Sequence, residues 1–215
     1  MKHRRFDALF IAQLGLLIAI EFVMQLTGLG MIPIGPLKAS LITVPVAIGA
    51  MLLGPAAGLI LGTVFGAISF YSAMTAPSVM MAAFMQISIL HSFILCVITR
   101  MLMGLLDGII FKVVHFFDRR GFVSYIIGAL AAPLLNTTFF MGYIVLVFYQ
   151  SEYVQNLVVK LGAANPIAFI FLLVGMQALV EALVCCLVGS VITKALAHIL
   201  HIDRPPMPPM PPKEA

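Results

Sequence analysis

Apolar residues run through this chain in blocks of about bilayer length, separated by short polar or Gly/Pro-rich stretches, and the blocks predict six membrane-crossing helices. Segment one covers about residues 8–26, segment two 40–53, segment three 54–71, segment four 86–114, segment five 122–148 and segment six 166–200. Small residues recur with helical spacing inside these blocks. Gly54, Gly58, Gly62 and Gly66 fall on one face of segment three and predict a bare backbone seam for close helix packing in lipid. Ala8, Ala12, Gly15 and Ala19 form a second stripe on segment one. Spacing alone leaves open whether that stripe meets a helix of this chain or of a partner.

Polar positions inside the blocks are few and costly in lipid, so each must face the bundle interior. Glu21 lies roughly opposite the small stripe. On segment four, Gln86, Cys96, Arg100, Gly104 and Asp107 project within roughly 40° of one line. Segment five places Tyr125, Ala129, Ala132, Asn136 and Tyr143 along one face, with Pro133 expected to kink it, and segment six carries Gln177 and Glu181 one turn apart. Arg100 sits near mid-membrane, either neutralising Glu21 or Glu181 and capping loose carbonyls, or binding a ligand. Asp107 is expected to reach water at the cytoplasmic end, and His91 to be packed. Segment two is short, with a kink expected at Pro45 and burial against protein. The apolar 27–39 connection reads as a lid over a cavity or as an interfacial loop, and 149–165 as a second outer loop.

Composition agrees with a membrane protein: 62% of the 215 residues are hydrophobic, 9% are charged, and the mean hydropathy is +1.15. Lys2, Arg4, Arg5, Lys112, Arg119, Arg120, Lys194, Arg204 and Lys213 fall on one side of a six-span layout and only Lys38 and Lys160 on the other, which predicts both termini in the cytoplasm. The first apolar block is too long for a secretory signal and lacks its cleavage site. Residues 1–200 therefore read as one six-helix membrane domain and 201–215 as an extended cytoplasmic Pro/Met-rich tail. The basic excess is too small to suggest nucleic acid.

Three cysteines, all inside apolar blocks, point to neither disulfides nor zinc. Hydrolase elbows, phosphate loops and paired metal ligands are absent from the sequence, so no enzyme activity, metal or cofactor is expected. Arg100, Asn136, Gln177 and Glu181, with Gln86 and Tyr143 above them and Lys38 in the first outer loop, instead describe a site for one small polar molecule. No half of the chain repeats the other, so a binding protein that borrows its energy from partners fits better than a self-contained carrier. A membrane scaffold is the alternative from a different class.

Several runs resemble the substrate-binding (S) components of energy-coupling factor vitamin transporters: Leu16-Leu-Ile-Ala-Ile-Glu-Phe-Val, Ile32-Pro-Ile-Gly-Pro, Val44-Pro-Val-Ala-Ile-Gly-Ala-Met-Leu-Leu-Gly-Pro-Ala-Ala-Gly and Gly62-Thr-Val-Phe-Gly-Ala-Ile-Ser-Phe. So do Thr99-Arg-Met-Leu-Met-Gly-Leu-Leu-Asp-Gly, Leu135-Asn-Thr-Thr-Phe-Phe-Met-Gly and Gln177-Ala-Leu-Val-Glu-Ala. The resemblance implies an all-α bundle of six transmembrane helices in a prokaryotic plasma membrane. Such a protein binds a vitamin from outside and delivers it by tilting, together with a membrane coupling subunit and two ATPases. It implies that Gly15 and Ala19, extended by Ala8 and Ala12, meet the coupling subunit, with glycine where alanine is expected at 15. It also implies a ligand beneath the outer loops against segments four to six, with Gln177 where relatives tend to carry asparagine. The second-segment block most resembles the pantothenate-type members. In that case Arg100 or Lys38 would meet the carboxylate of pantothenate, and Asn136 and Gln177 its amide. Riboflavin, folate and other micronutrients are the alternatives.

Overall fold

The computed structural model describes residues 8–34, 37–118 and 122–199, with side chains left out over 31–39. Five of its helices are long and apolar enough to cross a membrane. They are α1 (Ala8–Thr27), α3 (Pro55–Thr75), α5 (Ile89–Phe117), α6 (Phe122–Phe148) and α8 (Pro166–Ile199). Segment two forms a shorter helix, α2 (Thr43–Leu53). At 11 residues it rises about 16 Å, roughly half the hydrocarbon thickness. Every residue from Thr43 to Met51 is buried, because the segment has no polar face to offer and neighbouring helices enclose it. Pro45 stands in its first turn, where a backbone N–H would have no helical acceptor, so the expected kink gives way to a helix start.

The glycine seam sets how the bundle closes. A Cβ added to Gly58 would run into the Gly104 carbonyl, one on Gly62 into the Arg100 carbonyl, and one on Gly66 would lie 2.7 Å from Val97 Cα. Gly104 and Gly108 answer from the other side, against Gly58 and Pro55. Backbones of α3 and α5 therefore meet directly. Gly54 is not a rung of this ladder: its φ of +95° makes the turn between α2 and α3, a conformation that side chains resist.

Three expectations change, and the first outer connection takes a definite form. Residues 27–39 hold an antiparallel hairpin, β1 (Met31–Ile34) with β2 (Leu37–Ser40), in the register Met31 to Ser40 and Ile34 to Leu37. Segment four does not begin at Gln86, because a separate helix α4 (Val79–Ile87) ends at Ser88. Ser88 is extended, and its hydroxyl caps α5 by accepting from the His91 N–H at 3.3 Å. The 149–165 connection contains helix α7 (Glu152–Leu161), started by the Ser151 hydroxyl and ended by Gly162 at φ +63°. Finally, Asp107 does not reach water: it is fully buried. The tail beyond Ile199 lies outside the described residues.

The long helices α5, α6 and α8 each carry a five-residue π turn, at Ile94–Ile98, Ile144–Phe148 and Cys185–Gly189. Two large buried clusters fill most of the bundle, beside a smaller one of Val44, Ile48 and Cys185. One gathers Ile42, Val46, Leu61, Phe65, Met103, Tyr125 and Ala129. The other, at the end bearing α4 and α7, gathers Met80, Phe84, Leu95, Met141, Phe148, Phe169 and Leu173, with Phe84 stacked on Phe148 at 4.2 Å.

Glu21 is the buried residue of α1. Ala8, Ala12, Gly15 and Ala19 are all exposed, and a Cβ on Gly15 would find no atom within 4 Å. The stripe thus faces away from the chain's own helices.

Candidate ligand cavity

Where the two clusters meet, a cavity of about 540 Å³ opens within the bundle. Phe65 comes to its wall from the first cluster, and Met80, Met141, Leu173 and Val174 from the second. Its polar lining includes Ser40 at the foot of the hairpin, Arg100 on α5, Asn136 on α6, and Gln177 and Glu181 on α8. Ser69 and Ser72 of α3 add hydroxyls.

Arg100 sits where the first π turn ends, with Cys96 one turn before it on the cavity wall. Widening the helix at 94–98 loosens the regular ladder and turns carbonyls toward side chains. Arg100 Nη1 donates to Cys96 O at 3.0 Å and, more weakly, to Leu95 O at 3.4 Å, while Thr99 Oγ1 donates to Leu95 O. The guanidinium carbon lies 4.7 Å from the Phe65 ring centre and 5.1 Å from that of Phe140, so aromatic faces cover the cation. The expected role of capping loose carbonyls is met. The expected ion pair to Glu21 or Glu181 is not: among the described residues no carboxylate stands at ion-pair distance from Arg100, and its Nε is enclosed without a partner.

Glu181 is fully buried and works in two directions. Its Oε1 accepts from the Ser40 backbone N–H at 2.6 Å and from Gln177 Nε2 at 3.1 Å, tying the hairpin's foot to α8. One turn on, Cys185 Sγ meets Thr43 Oγ1 at 3.3 Å, and Thr43 Oγ1 donates to Ser40 O at 2.9 Å. The start of α2 is therefore pinned to α8 at two levels. Among the described residues Glu181 Oε2 has no partner.

The same is true of Ser40 Oγ, Asn136 Oδ1 and Gln177 Oε1. With Arg100 Nε, five buried polar atoms on cavity-lining residues make no hydrogen bond among the described residues. Buried polar atoms in folded proteins nearly all have partners, and leaving one bare costs about 1–3 kcal/mol. All five are enclosed atoms of residues that line one cavity.

Of the residues the sequence singles out, Arg100, Asn136, Gln177 and Glu181 come together here. Gln86 and Tyr143 do not line the cavity. Gln86 belongs to α4 and is exposed, while the Tyr143 hydroxyl bonds His91 Nδ1 at 2.8 Å. The Lys38 side chain lies outside the described residues. Sequence reasoning missed Ser40, Phe65, Ser69 and Phe140. A hydroxyl next to the first residues of α2, and serines three apart near the end of α3, were the signals available.

No curated protein matches the chain significantly. A family model described as "ECF transporter, substrate-specific component" matches residues 9–193, from the start of α1 almost to the end of α8. That span takes in every helix described above, the small-residue stripe from Leu9 onward and all the polar residues of the cavity, and the chain belongs to the family of substrate-specific components of ECF transporters.

Proposed function

We propose that this multi-pass membrane protein is the binding component for uptake of a vitamin or related micronutrient, with pantothenate as the first candidate. It takes the molecule into the cavity from the side that bears the hairpin, α4 and α7. The charge distribution along the chain assigns that side to the exterior. It hydrolyses nothing; a membrane coupling subunit and two ATPases supply the energy. Alanines 8, 12 and 19 with Gly15 form the docking face, which fits their exposure.

One observation carries the reading: five partnerless polar atoms around a cavity of about 540 Å³, inside the usual size range of small-molecule sites. A membrane scaffold would have no use for such a set. The test is to purify the chain alone in detergent, denature it and identify any released molecule by mass spectrometry, with melting shifts against a vitamin panel alongside. A ligand at 100 times its Kd stabilises the folded state by about 2.7 kcal/mol, a readily visible shift. Release of one vitamin, confirmed by its shift, supports the proposal and names the substrate. A well-folded protein that releases nothing and responds to no panel member would instead favour the scaffold.

A further inference from the structure

The partnerless atoms of the cavity differ in kind as well as in place. A guanidinium offers five N–H donors in a planar fork. On Arg100 the carbonyls of Leu95 and Cys96 engage Nη1, rings cover the faces, and no carboxylate of the described residues stands at ion-pair distance. Across α6 and α8 the situation is reversed. Gln177 turns its Nε2 toward Glu181, which leaves Gln177 Oε1 as an acceptor beside the free Glu181 Oε2, and Asn136 Oδ1 is a third bare oxygen. The cavity thus has a cationic donor on one wall and an acceptor-rich edge on another, and the two do not satisfy each other.

A guanidinium without a close carboxylate takes an anionic partner from the occupant, and unused acceptor oxygens take donors. A neutral apolar molecule would leave both walls bare, and a simple anion would serve only Arg100. A phosphate dianion would bring two negative charges into a cavity that already holds the Glu181 carboxyl group, whereas a carboxylate brings one and fits the guanidinium fork. Resting on the binding role argued above, we propose that the ligand carries a carboxylate, held by Arg100, and a separate N–H or O–H donor group, held by Glu181 and Gln177. Gln177 and Glu181 are then specificity-determining contacts rather than merely the tether of the hairpin.

The test uses the full purified chain and paired probes that differ only at the acidic group: pantothenate against pantothenol, and biotin against biotinamide. Riboflavin as an uncharged probe and thiamine as a cationic one complete the set. Calorimetric titration should find a carboxylate among the binders and its neutral counterpart at least about 30-fold weaker, the lower bound for leaving one member of a buried charged pair alone. Gln177→Leu, a change at a half-buried side chain, should weaken the carboxylate and its neutral counterpart by a similar factor of about ten, leaving their ratio intact. Arg100→Lys should shrink that ratio. A molecule released from the purified chain supports the proposal if it bears both a carboxylate and a donor group, and overturns it if it lacks an acid. Equal affinities within a pair, or tightest binding of riboflavin or thiamine, overturn the carboxylate assignment while leaving the binding role standing. No binding by any probe, with nothing released, defeats the binding role itself.

Discussion

Two glycines on different helices provide the sharpest check on how this fold is held. Gly62→Ala places a methyl against the Arg100 carbonyl, with Met101 Cα 3.3 Å away, and both obstacles are backbone of α5. Backbone cannot swing aside as a side chain does, so α3 and α5 must separate along a seam that also includes Gly58, Gly66, Gly104 and Gly108. Overpacking a tight core costs about 1–3 kcal/mol, and a seam of this length belongs at the upper end. Alanine returns up to about 1 kcal/mol of helix propensity, leaving a net loss of about 2 kcal/mol. For a chain of this size that is roughly 4–8 °C of melting temperature. Gly15→Ala meets no atom within 4 Å, so it should be neutral or stabilising by up to about 1 kcal/mol. Both variants are compared with the parent in one detergent at one scan rate, following intrinsic tyrosine fluorescence or exposure of the buried Cys96 and Cys185 thiols. Equal or higher stability of Gly62→Ala, or a loss at Gly15→Ala as large as at Gly62, would refute the assignment of one stripe to the interior and the other to the surface.

Other expectations follow from the same geometry. Gly15→Leu should leave melting and ligand affinity within error of the parent while abolishing uptake in cells that supply the other subunits; loss of binding as well would show that the stripe shapes the fold. Glu21 is fully buried and among the described residues neither carboxylate oxygen has a partner, so Glu21→Leu should hold or raise stability, by up to about 3 kcal/mol. A clear loss in the melting experiment would reveal a bound water or cation there. Ser151→Ala removes the cap of α7 and should cost about 1 kcal/mol, read as faster amide exchange at the start of that helix with uptake preserved.

How far the sequence could be read depended on the physical cause behind each feature. The α3 seam was legible because helix contact in lipid needs small residues at a spacing of four, and Gly58, Gly62 and Gly66 have no other reason to keep it. Arg100, Asn136, Gln177 and Glu181 were legible because burying polar groups is costly enough to leave only functional or structural instances. Gln86 was misplaced because a helical wheel drawn through unbroken apolar sequence passes straight over Ser88, whose capping geometry ends one helix and begins the next. Tyr143 is in phase with Asn136, but two turns further along α6 the neighbouring helix offers His91. The π turns carry no residue signature at all. Helix α7 did announce itself through Ser151, Glu152, Lys160 and Gly162, yet its polarity made it read as loop.

The seam and the site are one construction. Close approach of α3 to α5 requires a glycine opposite the Arg100 carbonyl, which holds the backbone of residue 100 rigidly against Gly62. The π turn just before it opens the carbonyls of Leu95 and Cys96 to the guanidinium, so the side chain is anchored from behind by its own helix. An arginine fixed in this way lines the cavity with no carboxylate of the described residues at ion-pair distance. Glu181, free of that duty, is available to tie the hairpin through Ser40, with its second oxygen enclosed and unpartnered among the described residues beside the same cavity. A carboxylate introduced on the wall of the cavity that Arg100 lines, as in Thr137→Glu, would add negative charge to that cavity from within. The variant should therefore lose affinity for an acidic ligand even if its melting temperature rises.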